Sequence, residues 1–165
     1  FGEPICASLA QALASAGEGV GAHLHRGGTY LCMEGPQFST KAESRLYRQW
    51  GVDVIGMTNM PEAKLAREAE LCYATMALAT DYDCWHETQE AVTVEAILTT
   101  LHSNVALAKD VLKRVVPTLA GAPACPCHRA LDNAIVTAPA SISAAVRKKF
   151  GILTHRVLGT KKGAR

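Results

Sequence analysis

Up to Pro117, short apolar runs alternate with capped or amphipathic helices, and this alternation restricts the fold more than any other feature of the chain. Residues 5–16 are rich in alanine and leucine and stop at Gly17, which predicts a helix closed by glycine. Tyr30 to Met33 reads as a short buried strand running into a Gly35-Pro36 loop. Thr40 with Glu43 three residues on forms a capping box, so a helix starts there and Gly51 closes it. Asp53 to Met57 predicts another strand. Pro61 to about Glu70 follows as a helix with proline in its first turn, and Leu71 to Thr80 as a third strand, apolar enough to be central. From Thr93 to Val116, apolar residues such as Val94, Ile97, Leu98, Leu101 and Val105 recur at three- and four-residue steps until Pro117 ends the pattern. Such alternation predicts an α/β fold, a mixed sheet flanked by helices.

In sheets of this kind ligands gather at the carboxyl ends of the strands. Three polar loops are expected there: Glu34–Ser39, Thr58–Met60 and Asp81–Trp85. Asp81 and Asp83 lie two residues apart, so both carboxyls point the same way if the strand continues. A converging pair at a partly buried site titrates apart and can ligate a metal, act as acid and base, or grip a ligand with adjacent donor and acceptor edges. Two solvated aspartates capping the next helix are the plainer alternative. Thr58 precedes a helix start, where free N–H groups favour anions, so its hydroxyl is either a phosphate contact or an ordinary N-cap. Phe38 is a stacking platform or a core plug. No glycine-rich phosphate loop is present.

Composition narrows the classes. The chain is 48% hydrophobic and 19% charged over 165 residues, a globular balance. Its apolar runs fall short of the roughly 20 residues that cross a bilayer, and Phe1-Gly2-Glu3-Pro4 carries no cationic start, so neither a membrane partner nor a secretory leader is expected. The net charge of +2 divides unevenly: all 15 acidic residues lie at or before Asp132, while seven of 17 Lys+Arg follow residue 146. With one aromatic, Phe150, the basic end reads as a solvated tail over 139–165 rather than a nucleic-acid arm, distinct from a unit over 1–138. Six cysteines are too few for a disulfide scaffold, which suggests reduced thiols and a cytoplasmic protein. Cys125-Pro126-Cys127-His128 is the one cluster with metal-binding spacing. It lacks a second ligand pair in sequence, which favours a thiol-bearing loop and no metal.

Three strings carry a resemblance: Gly28-Thr29-Tyr30-Leu31-Cys32-Met33-Glu34-Gly35-Pro36-Gln37-Phe38-Ser39-Thr40, Gly51-Val52-Asp53-Val54-Ile55-Gly56-Met57-Thr58-Asn59-Met60-Pro61 and Ala79-Thr80-Asp81-Tyr82-Asp83-Cys84-Trp85. In this order they resemble the 5′-methylthioadenosine phosphorylases of the trimeric purine nucleoside phosphorylase family, most closely over residues 1–118. The resemblance implies cleavage of methylthioadenosine by inorganic phosphate, without metal or organic cofactor, to adenine and 5-methylthioribose 1-phosphate. It implies a homo-oligomer, a trimer or dimer of trimers, serving methionine and purine salvage.

By the same resemblance Phe38 packs on the purine, Met57 lies along the ribose, Thr58 contacts phosphate, and Asp81 and Asp83 hold the adenine edge, with Asp81 catalytic. Relatives that prefer 6-oxopurines have Asn at the position of Asp81, Glu at that of Ser39 and a histidine at that of Val94. These three positions therefore favour the methylthioadenosine branch over a 6-oxopurine nucleoside phosphorylase, although Val94 equally suits a helix core. The family's phosphate ligands come mostly from a region preceding the match. The chain thus reads as a C-terminal part of such an enzyme, with a non-catalytic purine-binding or oligomerising fragment as the alternative of another class.

Overall fold

The computed structural model describes residues 1–86 and 94–159. The expected helix start at Thr93 and the bases Lys161, Lys162 and Arg165 lie outside them.

Helix α1 (Ala7–Gly19) opens the chain, and its end at Gly19 lies past the expected stop. Strand β1 (Tyr30–Cys32), helix α2 (Lys41–Gln49) and strand β2 (Val54–Gly56) then form a βαβ unit. The strands pair in parallel, Tyr30 opposite Val54, Leu31 opposite Ile55 and Cys32 opposite Gly56. Parallel neighbours need a crossover of this kind, and α2 supplies it. The capping box forms as expected: the Glu43 N–H donates to Thr40 Oγ1 at 3.3 Å and the Thr40 N–H to Glu43 Oε2 at 2.7 Å. These bonds hold the Glu43 carboxyl below its ordinary range. Gly56 carries no side chain because none fits. A Cβ there would lie 1.8 Å from the Tyr30 hydroxyl.

Helix α3 (Asn59–Glu68) includes Pro61 in its first turn, and α4 (Val94–Leu119) is the long amphipathic helix. Two expectations change here. Pro117 lies inside α4 rather than ending it. Proline removes only its own donor, and this close to the C-terminus the helix has few bonds left to lose. Leu71 to Thr80 forms no strand, and the sheet among the described residues is a parallel pair rather than a mixed sheet. Apolarity selected the segment, but a strand also needs a ladder partner. Here the Tyr73 carbonyl accepts from the Cys6 N–H at 2.7 Å and the Ala79 carbonyl from the Asn104 side chain at 2.8 Å.

The central apolar cluster joins α1 to α4. Ala16, Val111 and Val115 are buried together, with Ala12, Leu13, Val20 and Met76 packed against them. The outer stripe of α4, including Leu98, Leu101, Val105, Leu112 and Val116, stays exposed among the described residues. Val111 and Val115 are one helical turn apart, so a single face of the helix is engaged.

Between Pro139 and Gly159 the chain forms helices rather than an extended tail, although Lys148 and Lys149 are exposed as expected. Helices α5 (Ala144–Lys149) and α6 (Gly151–Leu158) pack together. Arg147 reaches back to the carbonyls of Ile142 at 3.2 Å and Leu158 at 3.0 Å. Arg156 joins Glu70 through Nε at 2.6 Å and Asp132 through its terminal nitrogen at 2.5 Å. Charge counting saw a solvated cationic end because the carboxylates that satisfy Arg156 lie far away in sequence. Glu70 itself sits at φ +55°, a left-handed conformation usually left to glycine after a helix, and it also accepts from the Leu131 N–H at 2.9 Å.

Hydrogen bonds from Arg156 hold both Glu70 and Asp132 below the ordinary carboxylate range. A depressed folded value means the stabilisation is complete above about pH 4 and is lost as pH falls through the folded values. Arg156→Met is therefore expected to lower the thermal midpoint at pH 7. The difference from the unsubstituted chain should vanish toward pH 2 in a calorimetric pH series, and a gap that persisted there would exclude this linkage. Among the described residues no helix is long and apolar enough to cross a membrane.

Candidate active site

A cavity of about 890 Å³ opens beside β1 and β2, walled by Tyr30, Val54 and Ile55 from the strands. All three polar loops reach it: Phe38 and Ser39 from the first, Thr58 and Asn59 from the second, and Asp81, Asp83 and Trp85 from the third. The loops are fastened to one another. The Cys84 thiol donates to the Ser39 carbonyl at 3.5 Å, and the Arg48 guanidinium lies 3.6 Å from the centre of the Trp85 ring. That is cation–π distance, so α2 holds the third loop in place.

Each candidate has a definite setting. Phe38 is 84% exposed, so the core-plug reading fails and the ring stands free at the cavity wall. Thr58 is the residue before α3, yet its side chain makes no capping hydrogen bond, so the ordinary N-cap reading fails as well. The Ser39 hydroxyl donates to the Met33 sulfur at 3.7 Å. Asp83 Oδ1 accepts from the Cys84 N–H at 2.8 Å, a local loop bond, and Asp81 Oδ1 accepts from the Thr80 hydroxyl at 2.7 Å. Asp81 is exposed, so the described residues do not supply the burial expected for it. Its strand does not form, and a loop carboxyl without a sheet behind it meets solvent.

Two candidates lie apart. Met57 is outside the cavity lining and packs its sulfur toward Gly35, where a Cβ would approach to 2.8 Å. Gly35 has φ +75°, a backbone conformation that calls for glycine. Val94 is 66% exposed at the start of α4 and also outside the lining.

Sequence reasoning missed a polar network on the cavity floor. Asn59 Oδ1 accepts from the Tyr73 hydroxyl at 2.8 Å and from the Thr75 hydroxyl at 2.5 Å, with Glu62 Oε2 3.1 Å from the Tyr73 oxygen. Burial and the neighbouring Glu62 push the Tyr73 phenol up, and burial chiefly does the same to Tyr30. Both phenols therefore stay neutral hydrogen-bonding groups. The available signal was Asn59 and Glu62 on one face of α3, three residues apart. Ser44 was also missed: it is 1% exposed, lines the cavity, and its hydroxyl has no partner among the described residues.

A polar floor, a free aromatic ring and the carboxylates of Asp81 and Asp83 suit a flat ligand with a polar edge. The profile of the phosphorylase superfamily matches residues 1–117, which include every candidate above. The chain belongs to the phosphorylase superfamily. It is 53% identical over 153 residues to the S-methyl-5′-thioadenosine phosphorylase of Geobacter sulfurreducens, covering 93% of this chain and 54% of the relative. To that of Gloeobacter violaceus it is 54% identical over 158 residues, covering 93% and 53%. The crystal structure of a methylthioadenosine phosphorylase from an antarctic soil metagenomic library superposes with a TM-score of 0.85 at 44% identity, over 92% of this chain and 54% of that one. A methylthioadenosine phosphorylase from Schistosoma mansoni in complex with adenine gives 0.66 at 31% identity, over 74% and 49%.

The fold is thus that of the nucleoside phosphorylases, and the chain spans about half the length of the curated relatives it matches. The likeness also runs further than the three motifs suggested. Coverage of 93% cannot end at Pro139, so much of the basic segment belongs to the family alignment.

Proposed function

We propose that the chain is the purine-binding part of an S-methyl-5′-thioadenosine phosphorylase. The observation that carries this reading is the meeting of Phe38, Thr58, Asp81 and Asp83, from three separate loops, on one cavity. Identity of 53% to a relative bearing that name supports the substrate.

Adenine presents an N7 acceptor beside an exocyclic amino donor. Phe38 stacks on its face, and the Asp81 carboxyl relays a proton from solvent to N7 while its second oxygen accepts from the amino group. A phosphate oxygen bonds to the anomeric carbon as the bond from that carbon to the base nitrogen breaks. The electron pair goes to the purine, and the proton from Asp81 neutralises it. That proton matters most in the transition state, where the charge develops, so it raises the rate rather than ground-state binding alone. Inorganic phosphate is the co-substrate, contacted by Thr58, and the reaction as written requires no metal or organic cofactor. Ser39 and Val94 stand where the 6-oxopurine branch differs. A homotrimer working in the cytoplasm for methionine and purine salvage belongs to the same reading.

Thr58 alone is a poor site for a dianion, which is held best by several charged or backbone donors. Adenine is therefore expected to bind the 165-residue chain in calorimetry, without turnover. Phosphorolysis of methylthioadenosine is expected once the remaining part of the Geobacter sulfurreducens relative is supplied as a second chain. Turnover by the chain alone would show that phosphate recognition was misjudged. Adenine binding with no activity in the mixture would favour a non-catalytic purine-binding fragment, and preference for inosine in the mixture would favour the 6-oxopurine branch.

A further inference from the structure

Away from the cavity, four cysteines meet. The sulfurs of Cys6, Cys72, Cys125 and Cys127 all lie within 4.8 Å of one another, and those of Cys6 and Cys125 are 3.5 Å apart. The second ligand pair that Cys125 and Cys127 lack in sequence is thus supplied in space. We propose that these four side chains form a closed tetrahedral site for a thiophilic divalent cation, zinc above all.

The distances suit the ion. With zinc–sulfur bonds near 2.3 Å, a tetrahedron sets its sulfurs about 3.8 Å apart, so the wider pairs close by about 1 Å at most and the Cys6–Cys125 pair opens slightly. Cys6 is buried and the other three are half-buried, and all four positions are filled by protein. A site without an open position is structural rather than catalytic. Four soft thiolates select zinc over magnesium or calcium, which take oxygen ligands. Binding is an exchange without oxidation: four thiols lose protons, four zinc–sulfur bonds form, and the protons pass to solvent.

The backbone that carries the sulfurs is placed by contacts independent of them. Cys6 precedes α1, and its N–H donates to the carbonyl of Tyr73, the residue after Cys72. The 3₁₀ turn Pro126–Arg129 carries Cys127, and the His128 N–H closes it onto the Cys125 carbonyl at 3.0 Å. Just beyond, the Leu131 N–H and Arg156 both hold Glu70, two residues before Cys72. The segments bearing the ligands are therefore pinned before any ion arrives. His128 Nε2 lies 3.6 Å from Cys72 Sγ, placed to donate to the thiolate as an outer partner. Such partners orient ligands and are part of a metal site's construction.

Titrating the reduced, metal-free 165-residue chain with Co(II) tests the site without any substitution. The expected result is one equivalent bound, with thiolate-to-cobalt charge-transfer absorption and the visible bands of a tetrahedral ion, displaced stoichiometrically by zinc and accompanied by proton release. In the Cys72→Ser, Cys127→Ser double variant the charge-transfer band should be lost. The Cys84→Ser variant, altered at an exposed cysteine outside the cluster, should keep it. Binding without thiolate absorption, or an unchanged spectrum in the double variant, would overturn the proposal. So would anaerobic purification in the presence of zinc that returned these cysteines as disulfides. Each readout is independent of purine binding and of phosphorolysis.

Discussion

Asp81→Asn is expected to slow phosphorolysis of methylthioadenosine by roughly 10³–10⁴, the scale of a lost general acid in a matched site. The measurement uses the chain together with the complementing part of the relative, since the loss must be read on turnover. The amide of Asn is nearly isosteric with a protonated carboxyl. Its NH₂ still donates to N7, and its oxygen still accepts from the amino group. What it cannot do is release a proton to the departing base. The effect should therefore fall on kcat, while adenine affinity of the 165-residue chain changes little by calorimetry. Preference should move toward 6-oxopurines, because an amide NH₂ can donate to a 6-oxo group, whereas the Asp81 oxygen that accepts from the adenine amino group cannot. Asp83→Asn, whose carboxylate already accepts from the Cys84 N–H, should cost less. An unchanged rate with methylthioadenosine in Asp81→Asn would remove Asp81 from the catalytic role.

How far such a site can be read from sequence depends on whether its cause is local. The Thr40–Glu43 box, β1, β2 and the proline in the first turn of α3 are short-range matters of capping, apolar run and φ, and they form near the expected residues. The rule about strand ends accounts for the first two loops, which follow β1 and β2, while the third reaches the same cavity with no strand before it. Leu71–Thr80 fails because pairing is a property of two segments, and its composition says nothing about the second. Arg156 likewise looked solvated because Glu70 is 86 residues away. The cysteine cluster is the sharpest instance: Cys125 and Cys127 are visible as a pair, but Cys6 lies 119 residues from Cys125. Asn59 and Ser44 hid differently. Each is an unremarkable helix residue until the cavity gives its side chain a wall to line.

Val115→Asp should be the most damaging single change to stability. Val115 is 2% exposed in the cluster with Ala16 and Val111, and its partners Ala12, Leu13 and Val20 are apolar. The neighbouring Lys113 is directed away to Asp110 at 3.0 Å on the exposed side of the helix. A carboxylate at this position would be buried without a partner, which costs about 3–5 kcal/mol. Domains are typically stable by only about 5–15 kcal/mol, so a large part of the total would be lost. The expected observation is a collapse of the cooperative urea transition. Val115→Ala, which only opens a small cavity, should retain a transition lowered by about 2 kcal/mol. Val116, one residue along the same helix, is 60% exposed, so Val116→Asp should cost less than about 1 kcal/mol. Equal losses at 115 and 116 would mean that α4 does not present the face toward α1 on which the packing argument depends. The contrast between the two positions isolates that face from helix propensity, because both replace valine by the same residue in the same turn.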